Sequence, residues 1–391
     1  MKKNLYDYSF GGRKVILRCD YNVPITDGII TDDTRIKASL KTINYLLQKG
    51  ARIIIFSHLG KVKSEEDKAN NSLFPVYLRL KELVDAKCYF CDDTHGELLE
   101  DMVLKLNNGE ILLVQNTRYE DYPLKKESSC DENLSKYWAS LGDVFVNDAY
   151  GTCHRAHASN AGIAKFLPSA VGFLVEEEVN KLSSIMEEDT HPFMVLMGGK
   201  KVSDKTLVID NLINKCDKLL IGGGMCFTFL KAKGVSVGNS IVDDDNLEYC
   251  KNILSKYGDK IVLPVDFVNQ DGVNIDANNI SSNDAGMDIG SESIKLFTNL
   301  LQQAKRVVVN GPMGVFEDNK FSNGTRSVYE TLKNNNIKTL IGGGDSAASV
   351  NLLDYDGVFY HVSTGGGATL EYLSGAELPG ISIINNKDEK Y

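Results

Sequence analysis

The sequence predicts an α/β protein with two parallel sheets, each covered by helices on both faces. Three observations predict it. Short apolar runs alternate with longer amphipathic stretches, the pattern of strand–helix–strand units. The alternation comes as two series, one before and one after about residue 172. The chain of 391 residues is also long for one hydrophobic core, so two domains are the default.

The first series places strands at 14–18, 52–57, 87–91, 111–114 and 144–147. Between the first two, Ile36, Leu40, Ile43 and Leu47 recur at helical spacing over 34–48, and Gly50 follows as a stop. Residues 172–185 read as a helix with a solvated acidic face, Glu176, Glu177 and Glu178, bridging the two halves. The second series places strands at 193–197, 218–221, 260–264, 306–310, 338–341 and 358–361. The last stretch, 378–391, is too short for a domain and packs back on existing structure; periodicity does not say on which half.

Ligands of doubly wound sheets sit beyond the carboxyl ends of strands. In the first half those ends carry Asp20, Asn22, Arg35, His58, Lys61, Arg118, His154, Arg155 and His157. A lone arginine there reads first as a surface ion pair, and a lone histidine as a core or cap residue. Seven basic or imidazole groups along one edge, in a chain of net charge −10, read instead as an anion pocket. Guanidinium groups grip phosphate and carboxylate through paired hydrogen bonds. Asp20 and Asn22 suit hydroxyl groups of the same small ligand.

In the second half the strand ends carry glycine: Gly198-Gly199, Gly222-Gly223-Gly224, Gly311, Gly342-Gly343-Gly344 and Gly365-Gly366-Gly367. One glycine turn is usually only a turn, but five on one edge suit close approach to phosphates. No G-x-x-x-x-G-K-[ST] string occurs. Asp345 lies inside the Gly342–Gly344 loop, where a carboxylate makes sense with Mg²⁺ between it and the phosphates. Lys201 and Lys205 are four apart; on a helix they share a face that is either solvated or turned to a transferring phosphoryl group.

Composition excludes several classes. Apolar residues are 42% and charged residues 25%, as in ordinary globular chains. The acidic balance argues against broad nucleic-acid or anionic-membrane binding. No segment reaches the ~20 apolar residues of a membrane span, and Met1 to Phe10 has no apolar run behind Lys2 and Lys3. A soluble, cytoplasmic protein is expected. Cys88 and Cys91 form a lone CxxC; without a second pair it reads as core thiols rather than a metal or redox site. Two rival functions are a dehydrogenase, which lacks a clean G-x-G-x-x-G, and a non-catalytic scaffold, for which loss of Arg35, Lys205 or Asp345 would be the mark.

The motifs resemble the phosphoglycerate kinase family. The matching stretches are 17–24, 30–36, 57–60, 147–159, 198–205, 221–230, 263–268, 310–317, 341–345 and 361–370. The runs from Ala156 to Ser159 and from His361 to Ala368 are the most specific.

The resemblance implies two Rossmann-like domains joined by a hinge helix. Residues 1–172 bind phosphoglycerate, with the tail 376–391 returning to them, and 173–375 bind nucleotide. It implies reversible phosphoryl transfer between 1,3-bisphosphoglycerate and Mg-ADP by a monomer, with Mg²⁺ carried on the nucleotide at Asp345. The implied phosphoglycerate set is Asp20, Asn22, Arg35, His58, Lys61, Arg118 and Arg155. The implied nucleotide set is Lys201, Lys205, Gly222, Gly223, Gly286, Glu317, Gly343, Gly344, Asp345 and Ser346, with Glu317 on the ribose. Arg35, Lys201, Lys205, Gly365 and Gly366 are the implied catalytic residues. Four positions depart from the family's usual pattern. Lys61-Val62 stands for Arg-Pro, keeping the charge but losing the two-pronged grip. Lys200 replaces a small residue, and Ser346 replaces threonine.

Overall fold

The strands at 111–114, 144–147, 193–197 and 306–310 are short, largely aliphatic runs buried along their whole length, which requires cover on both faces. The computed structural model, which describes residues 1–388, supplies that cover with helices. Met1–Asn180 and the segment from Glu377 onward form one unit, and Lys181–Ala376 the other.

The first sheet holds β1 (Lys14–Arg18), β2 (Arg52–Phe56), β3 (Cys88–Cys91), β4 (Ile111–Val114), β5 (Val144–Asn147) and β6 (Ser169–Val171). All pairs are parallel and the order is β3-β4-β2-β1-β5-β6. The winding reverses between β1 and β5, so a crevice opens beyond Arg18 and Asn147. Helix α1 (Thr34–Gln48) buries Ile36, Ser39, Thr42, Ile43 and Leu46, while Leu40 and Leu47 are half-buried.

Helix α2 (Phe173–Met186) runs across the division of the chain, which falls after Asn180. Its three glutamates do not form one solvated face. Glu177 is exposed, Glu178 is buried, and Glu176 accepts the Asn4 amide at 2.6 Å. Consecutive residues are turned by about 100° from each other, so three in a row span more than half the circumference.

The second sheet holds β7 (Phe193–Met197), β8 (Lys218–Ile221), β9 (Ile261–Val262), β13 (Arg306–Asn310), β14 (Lys338–Ile341) and β15 (His361–Val362). Its order is β9-β8-β7-β13-β14-β15, again all parallel, with the reversal between β7 and β13. A small antiparallel sheet, β10 (Asp266–Asn269), β11 (Asn274–Asp276) and β12 (Gly286–Ile289), has no counterpart in the sequence reading. Its strands are too short and polar to give an alternating signal.

The described part of the tail pairs with the first unit. Gly380 donates to the Cys153 carbonyl at 2.9 Å, Asn147 donates to the Gly380 carbonyl at 2.8 Å, and Lys3 donates to Asn385 at 2.8 Å. Residues 389–391 of the expected returning tail lie outside the described residues. Cys88 and Cys91 are buried on β3, and burial pushes the Cys88 thiol up to about 12. Among the described residues no helix is long and apolar enough to cross a membrane.

Candidate active site

At the first switch point the loops after β1, β2, β4 and β5 meet. Arg35, near the start of α1, reaches back to Asp20 beyond β1, with Nη1 at 3.0 and 2.9 Å from the two carboxylate oxygens. The Asn22 side chain accepts the Gly60 N–H at 2.9 Å, which fixes the loop after β2. Asn116, after β4, brackets Leu59 on both its backbone groups, at 3.1 and 2.7 Å, and also accepts the Arg118 N–H at 3.0 Å. The phosphate-gripping candidates are thus set on loops tied to each other.

Arg118 is buried and its Nη1 donates to Asp121 at 2.7 Å. Its Nε, and the Thr117 hydroxyl beside it, are buried with no hydrogen-bond partner among the described residues. Groups left so are costly unless something completes them. His58 is held well below its ordinary value, first by burial and then by Arg18, Arg118, His157 and Arg35. His157 is pushed down to about 3 by burial, with Arg118 and Arg18 adding to it. These mutual influences place Arg18, Arg35, His58, Arg118, Arg155 and His157 in one cationic neighbourhood. Arg155 is exposed and donates through Nε to His154 at 3.1 Å. Lys61 is exposed just past the loop that Asn22 fixes.

At the second switch point the glycine loops pack on one another. Gly198 donates to Asn310, Gly199 to Pro312, Gly222 to Met197 and Gly223 to Met313, all at 2.8–3.1 Å. A Cβ on Gly311, where φ is +103°, would overlap the Gly198 carbonyl, and one on Gly223 would stand 2.6 Å from the Gly199 nitrogen. Much of the glycine signal is therefore loop-on-loop packing, with ligand access a consequence of it.

Beside these loops lies a cavity of about 640 Å³, the size of a small-molecule site. Its apolar wall is Phe227, Ile241, Phe267, Met287, Met313, Val315 and Phe316, with Gly199, Gly223 and Gly286 leaving flat backbone. The small antiparallel sheet supplies Phe267, Gly286, Met287 and Asp288. Glu317 and Asp345 are the exposed carboxylates on its lining. A slot of this shape takes a planar base, with carboxylates for hydroxyl groups and a metal. Asp345 offers a single exposed carboxylate, a donor set that suits a divalent cation arriving on its own polyanionic ligand rather than one held by the protein alone. No group of three metal-ligating side chains occurs among the described residues.

Lys205 precedes helix α3 (Thr206–Leu212) and its Nζ donates to the Asn310 side chain. Burial lowers its pKa, with Asp204 and Asp345 acting against that. Lys201 and Lys205 do not share a helix face, because 201–205 is a turn that ends where α3 begins. Exposed Lys201 lies in the field of Asp243, and it is Lys200 that lines the cavity. Ser346 is buried with its hydroxyl accepting the Gly311 N–H at 2.6 Å, a loop tie. Gly343 and Gly344 open helix α4 (Gly344–Leu352), and Gly343 needs its φ of +96°. Gly222 abuts Met313 behind the cavity lining. Gly365 is tied to the Ser363 hydroxyl at 3.2 Å, and Gly366, at φ +49°, faces open space.

Sequence reasoning missed the buried layer under the anion pocket: Arg18, Thr117, Glu127 and Ser159. Arg18 closes a strand and was the one signal available, a charged residue at the end of an otherwise aliphatic run.

A cationic pocket at one switch point and a base-sized, carboxylate-bearing cavity at the other define a two-unit α/β phosphotransferase. Comparison with known proteins makes this specific. The family description Phosphoglycerate kinase matches residues 5–376. The phosphoglycerate kinase of Enterococcus faecalis is 51% identical over 395 residues, covering 99% of this chain and all of that protein. That of Staphylococcus aureus (strain bovine RF122 / ET3-1) is 50% identical over 394 residues. The solved phosphoglycerate kinase of Coxiella burnetii superposes with TM-score 0.89 at 33% identity, over 98% of this chain and 99% of that one. That of Pyrococcus horikoshii gives 0.83 at 32%, over 98% of each. The chain belongs to the phosphoglycerate kinase family and is a kinase.

Proposed function

We propose that the chain transfers the acyl phosphate of 1,3-bisphosphoglycerate to Mg-ADP, reversibly, giving 3-phosphoglycerate and ATP. The observation that carries this is the pocket at the first switch point. It is rich in guanidinium in a chain of charge −10, and Arg118 Nε and the Thr117 hydroxyl are buried there without hydrogen-bond partners among the described residues. A small polyanion completes them. Asp20, Asn22, Arg35, His58, Lys61, Arg118 and Arg155 are its binding set. Gly223, Gly286, Glu317, Asp345 and Lys205 serve the nucleotide, with Gly222, Gly343, Gly344 and Ser346 shaping their loops.

The transfer is direct and in line. Such reactions need positioning and neutralisation of charge rather than covalent help. The acceptor is already an anion in each direction, so no general base is required. Arg35 and Lys205 neutralise the charge of the migrating group, and closure over the bound ligands excludes water from the acyl phosphate. Gly366 presents its backbone N–H to it, Gly365, whose own N–H is held by the Ser363 hydroxyl, shapes that loop, and Lys201 adds positive field. Mg²⁺ enters as part of the nucleotide substrate, held by Asp345. The enzyme works as a monomer, and its eight free thiols suit a reducing cytoplasm.

A coupled assay with 3-phosphoglycerate, ATP and Mg²⁺ tests the reaction, and absence of ADP release would refute it. In the same assay Arg35→Ala is expected to cut turnover by roughly two orders of magnitude or more while nucleotide binding stays normal. Unchanged turnover would remove Arg35 from its role.

A further inference from the structure

Behind His58 a hydrogen-bond chain runs into the core. Glu127 is fully buried and accepts both the N–H of Ser159, at 2.9 Å, and its hydroxyl, at 2.5 Å. The same hydroxyl accepts Nε–H of fully buried Arg18 at 2.8 Å. Arg18 donates through Nη1 to the Cys19 carbonyl and approaches Nδ1 of His58 with Nη2 at 3.3 Å.

The direction of this chain is forced. A guanidinium only donates and a carboxylate only accepts, so the Ser159 hydroxyl must pass the hydrogen bond from Arg18 to Glu127. His58 Nδ1 meets a donor, so it must present its lone pair. An imidazolium would set Nδ1–H against Nη2–H and one cation against another. The ring's proton is left on Nε2, which has no partner among the described residues.

We propose that Ser159 and Glu127 are positioning residues that act through Arg18 to hold His58 as a neutral ring with its proton on Nε2, ready to donate to an oxygen of the bound phosphoglycerate. Glu127 balances the buried charge of Arg18, and Ser159 fixes where the guanidinium points. The charged groups that act most strongly on the ring, Arg18, Arg118, His157 and Arg35, all oppose its protonation, and the nearby carboxylates Asp20 and Glu127 are engaged by Arg35 and by the Ser159 hydroxyl. The donation is therefore independent of pH through the physiological range, unlike that of an ordinary histidine.

The proposal rests on His58 being a phosphoglycerate contact, but its central readout does not. Long-range proton–nitrogen correlation spectra of ligand-free protein, labelled in histidine nitrogen, report the tautomer directly, with the His58 signal identified by its loss in His58→Gln. The expected pattern is an unprotonated Nδ1 and a protonated Nε2, unchanged between about pH 5 and pH 8. In Ser159→Ala the guanidinium is free to turn to Glu127. His58 should then populate the tautomer with its proton on Nδ1, and KM for 3-phosphoglycerate should rise about tenfold, the scale of one lost hydrogen bond. Ser159→Thr, which keeps the hydroxyl, should restore both. A proton on Nδ1 in the parent protein, a ring that titrates there, or a Ser159→Ala spectrum identical to the parent's would overturn the relay. Should Ser159→Ala fail to fold, the parent spectrum alone still decides. An unchanged KM in His58→Gln would instead overturn the ligand contact and leave the relay standing.

Discussion

Replacing Asp148 by asparagine should abolish a specific pH dependence of stability. Asp148 follows β5 and is buried, and its Oδ1 accepts the N–H of Leu174 at 2.9 Å in the first turn of α2. Its Oδ2 is buried with no hydrogen-bond partner among the described residues. Burial raises its pKa to about 6, against the Thr42 hydroxyl, the Leu174 and Val175 N–H groups and the Lys41 charge, which all pull it down. In the unfolded chain an aspartate titrates at ~3.9, so the shift is about two units, or roughly 3 kcal/mol at ~1.36 kcal/mol per unit. The sign follows from which state binds the proton. Between about pH 4 and pH 6 the folded protein holds it and the unfolded chain has lost it, so stability falls as pH rises and levels off above the folded pKa.

Asparagine keeps an acceptor for the Leu174 N–H and puts an uncharged amide where Oδ2 has no partner. The variant should be the more stable protein near pH 8, and its advantage should shrink as pH falls through 6 toward 4, by up to roughly 3 kcal/mol. The single tryptophan provides the assay. Trp138 is fully buried in the same unit, with its indole N–H on the Thr94 carbonyl at 2.8 Å. Urea titrations followed by its fluorescence report that unit without assuming that the whole chain unfolds in one step. Parallel stability–pH curves for the two proteins would refute the reasoning.

Other substitutions separate the two half-sites. Asp345→Ala should raise KM for Mg-ATP about tenfold or more and leave KM for 3-phosphoglycerate unchanged; equal loss of both would indicate misfolding instead. Lys61→Arg should lower KM for 3-phosphoglycerate a few-fold, since guanidinium restores two-point contact, and no change would show that Lys61 does not touch the phosphate. Gly311→Ala forces a Cβ onto the Gly198 carbonyl at positive φ. It should destabilise the nucleotide unit by roughly 2–4 kcal/mol in hydrogen exchange while leaving the Trp138 transition in place.

What could be read from the sequence follows from the range of each signal. Strands such as 193–197 and 306–310 are continuous apolar runs, and α1 carries both its period and its glycine stop, so local pattern was enough. The strand-end rule then found Asp20, Asn22, Arg35, His58 and Arg118 as neighbours, because topology makes distant loops adjacent. It failed where a side chain's direction depends on backbone detail. Lys200 and Lys201 are adjacent in sequence, and only the turn after Gly199 decides which lines the cavity. It also failed for Glu127 and Ser159, whose pairing needs the loop after β4 to fold against the π-helical turn that begins at Ala158. The run from Ala156 to Ser159 marks the family, but nothing in either segment alone shows that Ser159 pairs with Glu127.

The two half-sites are rigid for different physical reasons, and this decides how each can fail. The anion pocket is built from charge: Arg18 and Glu127 are buried and bridged by one serine, and Lys61 and Arg118 stand beside loops pinned by Asn22 and Asn116. Removing one polar atom there strands another in a low-dielectric interior, so damage appears as altered protonation and weaker anion binding before the fold is lost. The nucleotide cavity is built from contact: backbone meets backbone at Gly198, Gly223 and Gly311, where a single methyl group does not fit. Charge changes on its rim are tolerated structurally, whereas added carbon is not. Conservative changes of size should therefore spare phosphoglycerate binding and disable nucleotide binding, and conservative changes of charge should do the reverse.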